Sequence, residues 1–234
     1  MGQPLSNDNC RCKKELGTFQ PNSTYGKNVK TALTTVVNET TKEKSPEEKG
    51  FSVEIIDDGN KEDRVIAIAL CAPWLTPNDC LSCVNNTLAP LQQKCPNHKK
   101  AAAWGHTCLV RYEPFSLGSY DPWFVAHEIS EEKVKDVKGL EKALSELFLN
   151  VTDEAIEGDI LPVLYAFGTK LYGSPSQHLF MSAQCSLDIS GSAECDDCFN
   201  LIYKEMKPSG ASAVAIFTPI CYMRYAHHDF RKPK

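Results

Sequence analysis

The sequence predicts an α+β protein built from two tandem copies of one disulfide-stapled module. Three observations support this prediction. A characteristic spacing of cysteines occurs twice, each occurrence lies within the same order of helical and strand-like segments, and 11 of the 234 residues are cysteine. Strands that are mixed in sequence with only two helices per copy favour an antiparallel sheet with the helices packed on it. A chain of this length can supply two modules of about 105 residues, each with its own core.

The cysteine repeat is the strongest of these signals. One set follows C-x8-C-x2-C and the other C-x9-C-x2-C, and each is followed by a later cysteine that begins the pattern Cys-x-x-Arg-Tyr. The repeated residues are Cys71, Cys80, Cys83, Cys108 and Arg111 in copy one, and Cys185, Cys195, Cys198, Cys221 and Arg224 in copy two. Matched features in one order indicate an internal repeat. We assign copy one to residues 10–126 and copy two to residues 133–230, because charged residues replace the apolar pattern between them.

Copy one begins with an amphipathic helix, because Val29, Leu33 and Val36 recur at helical spacing. A Gly59-Asn60 turn then separates two strand-like runs, which is typical of a hairpin. A second helix should begin after Thr76, since threonine is a good N-cap residue and a proline follows it. The elements predicted for copy one are a helix at 27–41, strands at 51–56 and 64–71, the second helix, and strands at 101–104 and 109–112.

Copy two repeats this order. Its first helix has Leu140, Leu144 and Leu147 on one face, and its second helix begins near Ser192 beside the cysteine pair. The elements predicted for copy two are a helix at 132–150, strands at 161–167 and 178–185, the second helix, and strands at 213–217 and 222–225.

Composition and charge exclude several classes of protein. The net charge of −5 lacks the basic footprint of a nucleic-acid-binding protein, so no nucleic-acid partner is expected. No run of 18 apolar residues occurs, so no membrane span is expected in this chain.

The many cysteines and four N-x-S/T sequons favour an oxidising, secretory environment with N-glycosylation. The sequons are at Asn22, Asn38, Asn85 and Asn150. The polar start predicts a mature chain whose leader has been removed.

The cysteines are best explained as structural disulfides. A zinc site is not expected, because four ligands must converge and copy two has no histidine between Cys198 and Cys221. No cofactor is expected either, and a thioredoxin-like site would not use the third cysteine that precedes each pair. Copy two lacks counterparts of Cys95 and of both Cys10 and Cys12, which is expected if Cys95 bonds one of those two. The cysteine left over permits a covalent homodimer.

At these residues the sequence resembles the plant cysteine-rich repeat family typified by ginkbilobin, also called the stress-antifungal or salt-stress-response domain. The segment Pro21 to Tyr25, the Cys95-Pro96-Asn97 triplet and the Cys-x-x-Arg-Tyr patterns carry the resemblance together with the cysteine spacing. It implies two helices on an antiparallel sheet of about five strands in each module. It also implies the disulfides Cys12–Cys95, Cys71–Cys80, Cys83–Cys108, Cys185–Cys195 and Cys198–Cys221, which leaves Cys10 unpaired.

The resemblance also implies a candidate carbohydrate site. Mannose-binding members use an asparagine after the first cysteine, an arginine after the fifth and a glutamate after the sixth. The matching positions here are Lys13 (or Arg11, if Cys10 is the first cysteine), Ala102 and Glu113, so only the glutamate is kept and Lys13 would stand in for a donor. An alanine methyl group cannot replace a guanidinium. Copy two has Ala215 and Ala226 at the last two positions and is expected to have no such site.

The resemblance favours a secreted, apoplastic binding protein of plant stress or defence. Its partner would be a cell-wall glycan, mannose-containing glycans included, or an extracellular protein, and no catalysis is expected. Three alternatives remain open. They are a mannose-binding antifungal lectin, the ectodomain of a plasmodesmal or receptor-like membrane protein, and an extracellular thiol redox sensor that uses Cys10 or Cys12.

Overall fold

A computed structural model describes residues 10–42, 45, 48–115, 125–157, 164–173, 175–189, 191–206 and 210–231. The chain divides into two compact units, Met1–Ser119 and Tyr120–Lys234, which we call module 1 and module 2. None of the described helices is long and apolar enough to cross a membrane.

In its described residues, module 1 has two α-helices and five strands. They are β1 (Cys10–Cys12), α1 (Thr24–Glu39), β2 (Phe51–Ile56), β3 (Val65–Cys71), α2 (Pro77–Lys94), β4 (Ala101–Trp104) and β5 (Cys108–Pro114). The strands form one antiparallel sheet in the order β1-β4-β5-β3-β2.

Module 2 repeats this architecture element by element. Its elements are β6 (Ala126–Ile129), α3 (Val137–Glu157), β7 (Tyr165–Tyr172), β8 (Gln177–Cys185), α4 (Ser192–Met206), β9 (Ala213–Phe217) and β10 (Cys221–Ala226). The sheet order is β6-β9-β10-β8-β7, again antiparallel throughout. The predicted α+β class with two tandem modules is therefore confirmed.

The predicted boundary between the copies is placed too late. The sequence places Ala126 at the end of copy one and residues 127–129 in the linker, but Ala126–Ile129 forms the edge strand β6 and bonds to β9 of module 2. Module 2 therefore includes these residues and does not begin at 133. Glu128 made this segment look like a linker, whereas a short edge strand at a sheet margin accepts charged side chains.

Side-chain alternation gives each sheet one face that packs on its helices. In module 1, Ala101, Ala103, Val110 and Tyr112 belong to the core formed with α1 and α2. The residues between them, such as Arg111, point to the other face. Module 2 has its own core, which includes Val214, Ile216, Met223 and Tyr225 from the equivalent strands with Leu140, Leu147 and Phe199 from the helices.

Local capping shifts two helices from their predicted bounds. α1 begins at Thr24, before the predicted residue 27, because Ser23 is its N-cap and the Gly26 N–H donates to Ser23 Oγ at 3.1 Å. α3 begins at Val137, after the predicted residue 132, where the Gly139 N–H donates to Asp136 Oδ1 at 2.9 Å. α3 also continues to Glu157. The strand predicted at 161–167 is β7, and residues 161–163 lie outside the described part of the chain.

Four cysteines in each module join the second helix to the centre of the sheet. In module 1, Cys71 and Cys108 face each other across β3 and β5, and they bond to Cys80 and Cys83 on α2. Residues i and i+3 of a helix have Cβ atoms about 5–6 Å apart, and facing residues of paired strands lie at about 4.5–5.5 Å. The two spacings match, so both disulfides can form at the same time.

The same four-cysteine arrangement occurs in module 2. Cys185 and Cys221 face each other across β8 and β10, and they bond to Cys195 and Cys198 on α4. The repeated Cys-x-x-Cys motif therefore supplies the two helix cysteines of this pair of disulfides. We call the pair of disulfides in each module the helix–sheet clamp. Neither Cys-x-x-Cys pair bonds within itself, as a thioredoxin-like pair would.

A fifth disulfide occurs only in module 1. It joins Cys12 of β1 to Cys95 at the end of α2, with a Cα–Cα distance of 5.5 Å. The residue at the register position of Cys12 in module 2 is Ile129, since Cys12 faces Ala101 of β4 and Ile129 faces Val214 of β9. Module 1 therefore has its edge strand fixed covalently, whereas module 2 holds β6 by backbone hydrogen bonds and packing.

We predict that replacing both Cys12 and Cys95 by serine destabilises module 1. The bond closes a sequence separation of 83 residues, for which the chain-entropy relation gives at most about 4.5 kcal/mol. Urea unfolding, followed by tryptophan fluorescence in a background with Trp74→Phe and Trp123→Phe so that only Trp104 of module 1 reports, measures the loss of unfolding free energy. The control is Cys10→Ser on the same strand, which removes no disulfide. An unchanged midpoint in the double variant would contradict this role of the disulfide.

Candidate functional site

The two predicted carbohydrate residues lie in one cross-strand row of module 1. The Lys13 N–H, just after β1, donates to the Lys100 carbonyl at 3.0 Å. Lys100 precedes β4 and lies beside Glu113 of β5, because Ala101 and Tyr112 are direct partners. Lys13, Lys100 and Glu113 therefore share the sheet face away from the helices. The structure brings the two predicted residues near each other, with Lys100 between them.

The carboxylate of Glu113 is already engaged within the protein. One oxygen, Oε1, accepts a hydrogen bond from Arg111 Nη1, and the other, Oε2, forms an ion pair with Lys100 Nζ. The side chains of Arg111, Lys100 and Glu113 are 5%, 12% and 21% exposed. Charges buried to this extent must be paired to be tolerated. A sugar hydroxyl could use Glu113 only by displacing one of these two cations.

Ala102 occupies the position that is arginine in mannose-binding members, and it lies between two arginines of this chain. Ala102 is directly opposite Arg11 of β1 on one side and Arg111 of β5 on the other. Arg11 also has its guanidinium carbon 5.6 Å from the centre of the Trp104 ring. This sheet face of module 1 thus carries Arg11, Lys13, Lys100 and Arg111, and the last two pair with the carboxylate of Glu113.

Sequence reasoning missed the role of Lys100. The repeated Cys-x-x-Arg-Tyr pattern marks Arg111, whose partner Glu113 lies two residues further along β5, whereas Lys100 reaches Glu113 only through the register of β4 and β5. The equivalent row of module 2 contains small side chains. Ala213 and Ala226 face each other there, and Ser130 donates its N–H to Ala213 as Lys13 does to Lys100.

All four predicted glycosylation asparagines are exposed. Asn22 lies in the turn before α1, Asn38 on α1, Asn85 on α2 and Asn150 on α3. The threonines of the last two sequons, Thr87 and Thr152, are buried. N-glycosylation at these positions remains a prediction.

The unpaired cysteine lies on the edge strand β1. Cys10 is half-buried and faces Ala103 of β4. Burial raises the pKa of its thiol above the usual range, and the positive charges of Lys94 and Arg11 oppose this rise only in part. The thiol is therefore protonated at neutral pH, and a protonated thiol is a poor nucleophile.

The paired cysteines do not provide a metal site. All four cysteines of the two Cys-x-x-Cys motifs are oxidised in disulfides, which removes the thiolates that zinc would require. Within the described ranges, no group of three or more histidine, cysteine or carboxylate side chains converges as metal ligands do.

The chain is similar in sequence to known plant proteins. The family described as Salt stress response/antifungal matches residues 9–114. Cysteine-rich receptor-like protein kinase 22 of Arabidopsis thaliana is 27% identical over 94% of this chain. Cysteine-rich repeat secretory protein 18 of the same plant is 27% identical over 96% of this chain. The chain spans 34% of the length of the kinase and 82% of the length of the secretory protein.

A solved structure has the same tandem fold. It is the tandem DUF26 ectodomain from the Arabidopsis thaliana cysteine-rich receptor-like protein PDLP5. The TM-score is 0.71 at 20% sequence identity, and the match covers 94% of this chain and 98% of that chain. At this identity the similarity shows the fold.

We predict that Glu113→Ala lowers the unfolding free energy of module 1 by about 3 kcal/mol, because Arg111 and Lys100 would remain buried without their carboxylate. The matched control is Glu54→Ala on the edge strand β2, where Glu54 is half-buried. A change within about 0.5 kcal/mol is expected for the control. Urea unfolding of both variants measures the difference. Equal stability of the two variants would show that the ion pairs do not support the fold.

Proposed function

We propose that this chain is a tandem member of the plant cysteine-rich repeat family, and that it is a secreted protein that binds a glycan or a protein outside the cell, without catalysis. The observation that carries this proposal is the pair of disulfides that joins helix to sheet in each module. Such bonds persist in oxidising compartments and are rare in the reduced cytosol.

Two further observations support an extracellular location. The four sequon asparagines are exposed, so the glycosylation machinery of the secretory pathway can reach them. Two relatives that the chain covers over 82% of their length are named as secretory proteins, although another, covered over 80%, is named as a putative receptor-like protein kinase. We propose the apoplast as the compartment, and stress or defence as the context, in line with the description of the matching family.

The antifungal lectin alternative has less support from the geometry. It requires mannose to bind at Lys13 and Glu113, yet both oxygens of Glu113 are engaged by Arg111 and Lys100. A neutral hydroxyl would replace a charge-assisted contact with a weaker one.

The receptor or plasmodesmal ectodomain alternative is supported by the tandem fold of PDLP5 and by the kinase relatives. Fractionation of plant cells that express the complete gene separates this alternative from the secreted form. Recovery from the apoplastic wash supports secretion, and recovery with the plasma membrane supports an ectodomain.

Binding is tested with the oxidised protein made in a secretory host. We expect it to bind on an array of cell-wall glycans that includes mannan, or to capture a protein from an apoplastic extract. Glu113→Gln is tested beside it, because glutamine keeps the side-chain shape and removes the charge. Mannose binding that is lost in Glu113→Gln would make the lectin alternative the better one. Failure to bind any glycan or extracellular protein would contradict the proposed function.

We predict that Cys10 is a slow thiol and not a sensor. Because burial raises its pKa, its reaction with a neutral thiol reagent at pH 7 should be slower in the native protein than in urea. The native rate should increase as the pH rises. Cys10→Ser should remove the labelling and leave binding unchanged. Rapid native labelling at pH 7, together with loss of binding in Cys10→Ser, would instead support a thiol sensor.

A further inference from the structure

Module 2 contains a cavity of about 810 Å³ at one end of its sheet. Its walls come from the segment between β6 and α3, the connection between β7 and β8, and the residues after β10. It is larger than the cleft of about 240 Å³ beside the Cys71–Cys80 disulfide and the cleft of about 360 Å³ between α3 and α4. Small ligands typically bind in cavities of about 300–1,000 Å³.

Small side chains help to open this cavity. Ser130 and Ala213, which line it, occupy the register positions of Lys13 and Lys100 in module 1. Ala226, opposite Ala213, occupies the position of Glu113. The three positions that Lys13, Lys100 and Glu113 occupy in module 1 therefore carry small side chains in module 2, and Phe180 is the next residue across the sheet.

A hydrogen-bonded chain holds a carboxylate at the cavity wall. Ser212 Oγ donates to Glu132 Oε2 at 3.1 Å, and Ser130 Oγ lies 3.1 Å from Ser212 Oγ. Because the Ser212 proton is directed to Glu132, Ser130 is the donor in the second bond. Ser130 Oγ also accepts the Glu132 N–H at 3.1 Å. These groups are fixed before a ligand arrives, which lowers the entropy lost on binding.

The charges around the cavity balance. Lys133 and Lys135 line it together with Glu132 and Asp136, so two positive charges stand beside two negative ones. Burial lowers the pKa of His227, whose Nε2 is 2.6 Å from the Tyr172 hydroxyl oxygen, so this ring is neutral at pH 7. A cavity without a dominant charge does not select for a charged ligand.

The lining combines hydrogen-bond donors, acceptors and apolar surface. The ammonium groups donate, the carboxylates accept, and the amide of Gln177 does both. Val134 and Pro175 add apolar surface to the same wall. A sugar presents hydroxyls that donate and accept at its edges and C–H groups on its faces, so it matches this combination.

We infer that the cavity of module 2 binds a neutral oligosaccharide, with the Glu132–Ser212–Ser130 chain, Lys135 and Gln177 in contact with its hydroxyls. This inference rests on the proposed function and locates the glycan site in module 2, on residues other than Lys13 and Glu113.

The test uses the whole oxidised protein and titration calorimetry. The probes are neutral hexasaccharides of β-linked mannose and of β-linked glucose, with a galacturonate trisaccharide as the acidic comparison. Gln177→Trp places a large side chain at the exposed cavity rim without disturbing the core. The matched control is Leu171→Trp, since Leu171 is 55% exposed on the neighbouring strand β7 and does not line the cavity.

We expect a neutral hexasaccharide to bind the unaltered protein, Gln177→Trp to weaken the affinity about tenfold or more, and Leu171→Trp to leave it unchanged. Glu132→Gln should weaken it as well. Neutral-glycan binding that Gln177→Trp does not affect, or binding of the acidic trisaccharide alone, would overturn the inference. Capture of an extracellular protein without binding of any glycan would overturn it and leave the proposed function intact. No binding of any kind would contradict both.

Discussion

In each module, two cysteines that face each other on adjacent strands form disulfides with two cysteines that lie one helical turn apart. These two disulfides determine how each module is built. Cys71 and Cys108 are 37 residues apart in sequence, yet the antiparallel register places them side by side. The Cys80–Cys83 spacing on α2 matches that separation, and both bonds can form at once. The helix is then fixed in position and direction on the sheet, and the apolar faces pack around this junction. Module 2 repeats the arrangement with different core side chains.

This shared frame leaves the edges of the two sheets free to differ. In module 1 the first edge strand is bonded through Cys12, and its corner is filled by Glu113 with Arg111 and Lys100. In module 2 the same corner has Ser130, Ala213 and Ala226 and borders a cavity. A tandem protein can in this way keep one module closed by ion pairs while the other presents polar groups to a ligand.

The sequence could predict the features that local patterns encode. The repeat, most strand positions and both second helices follow from cysteine spacing, alternation and the Thr76 cap. The two edge strands β1 and β6 could not be found by pattern, because three or four residues are too few to show alternation. They form through their bonds to β4 and β9. The predicted start of α3 is five residues too early, because apolar spacing does not define a helix end, and the bond from the Gly139 N–H to Asp136 that marks its start is not visible in the sequence pattern.

The candidate site was less predictable, because its chemistry depends on cross-strand register. Glu113 was identified through the resemblance, but nothing local indicates that Lys100, 13 residues earlier, would neutralise it. Similarly, Ser130 and Ser212 are 82 residues apart in sequence and meet only through the pairing of β6 with β9. Strand pairing of this kind brings together residues that no sequence motif marks, and they then form a hydrogen-bonded group.

The central claim is that two helix–sheet disulfides clamp each module. Mass spectrometry of the digested native protein tests it most directly. The digestion must cut the chain between Cys80 and Cys83 and between Cys195 and Cys198. The account predicts peptides that join Cys71 to Cys80, Cys83 to Cys108, Cys185 to Cys195 and Cys198 to Cys221, with an alkylated thiol on Cys10. A bond between Cys80 and Cys83, or between Cys195 and Cys198, would contradict it.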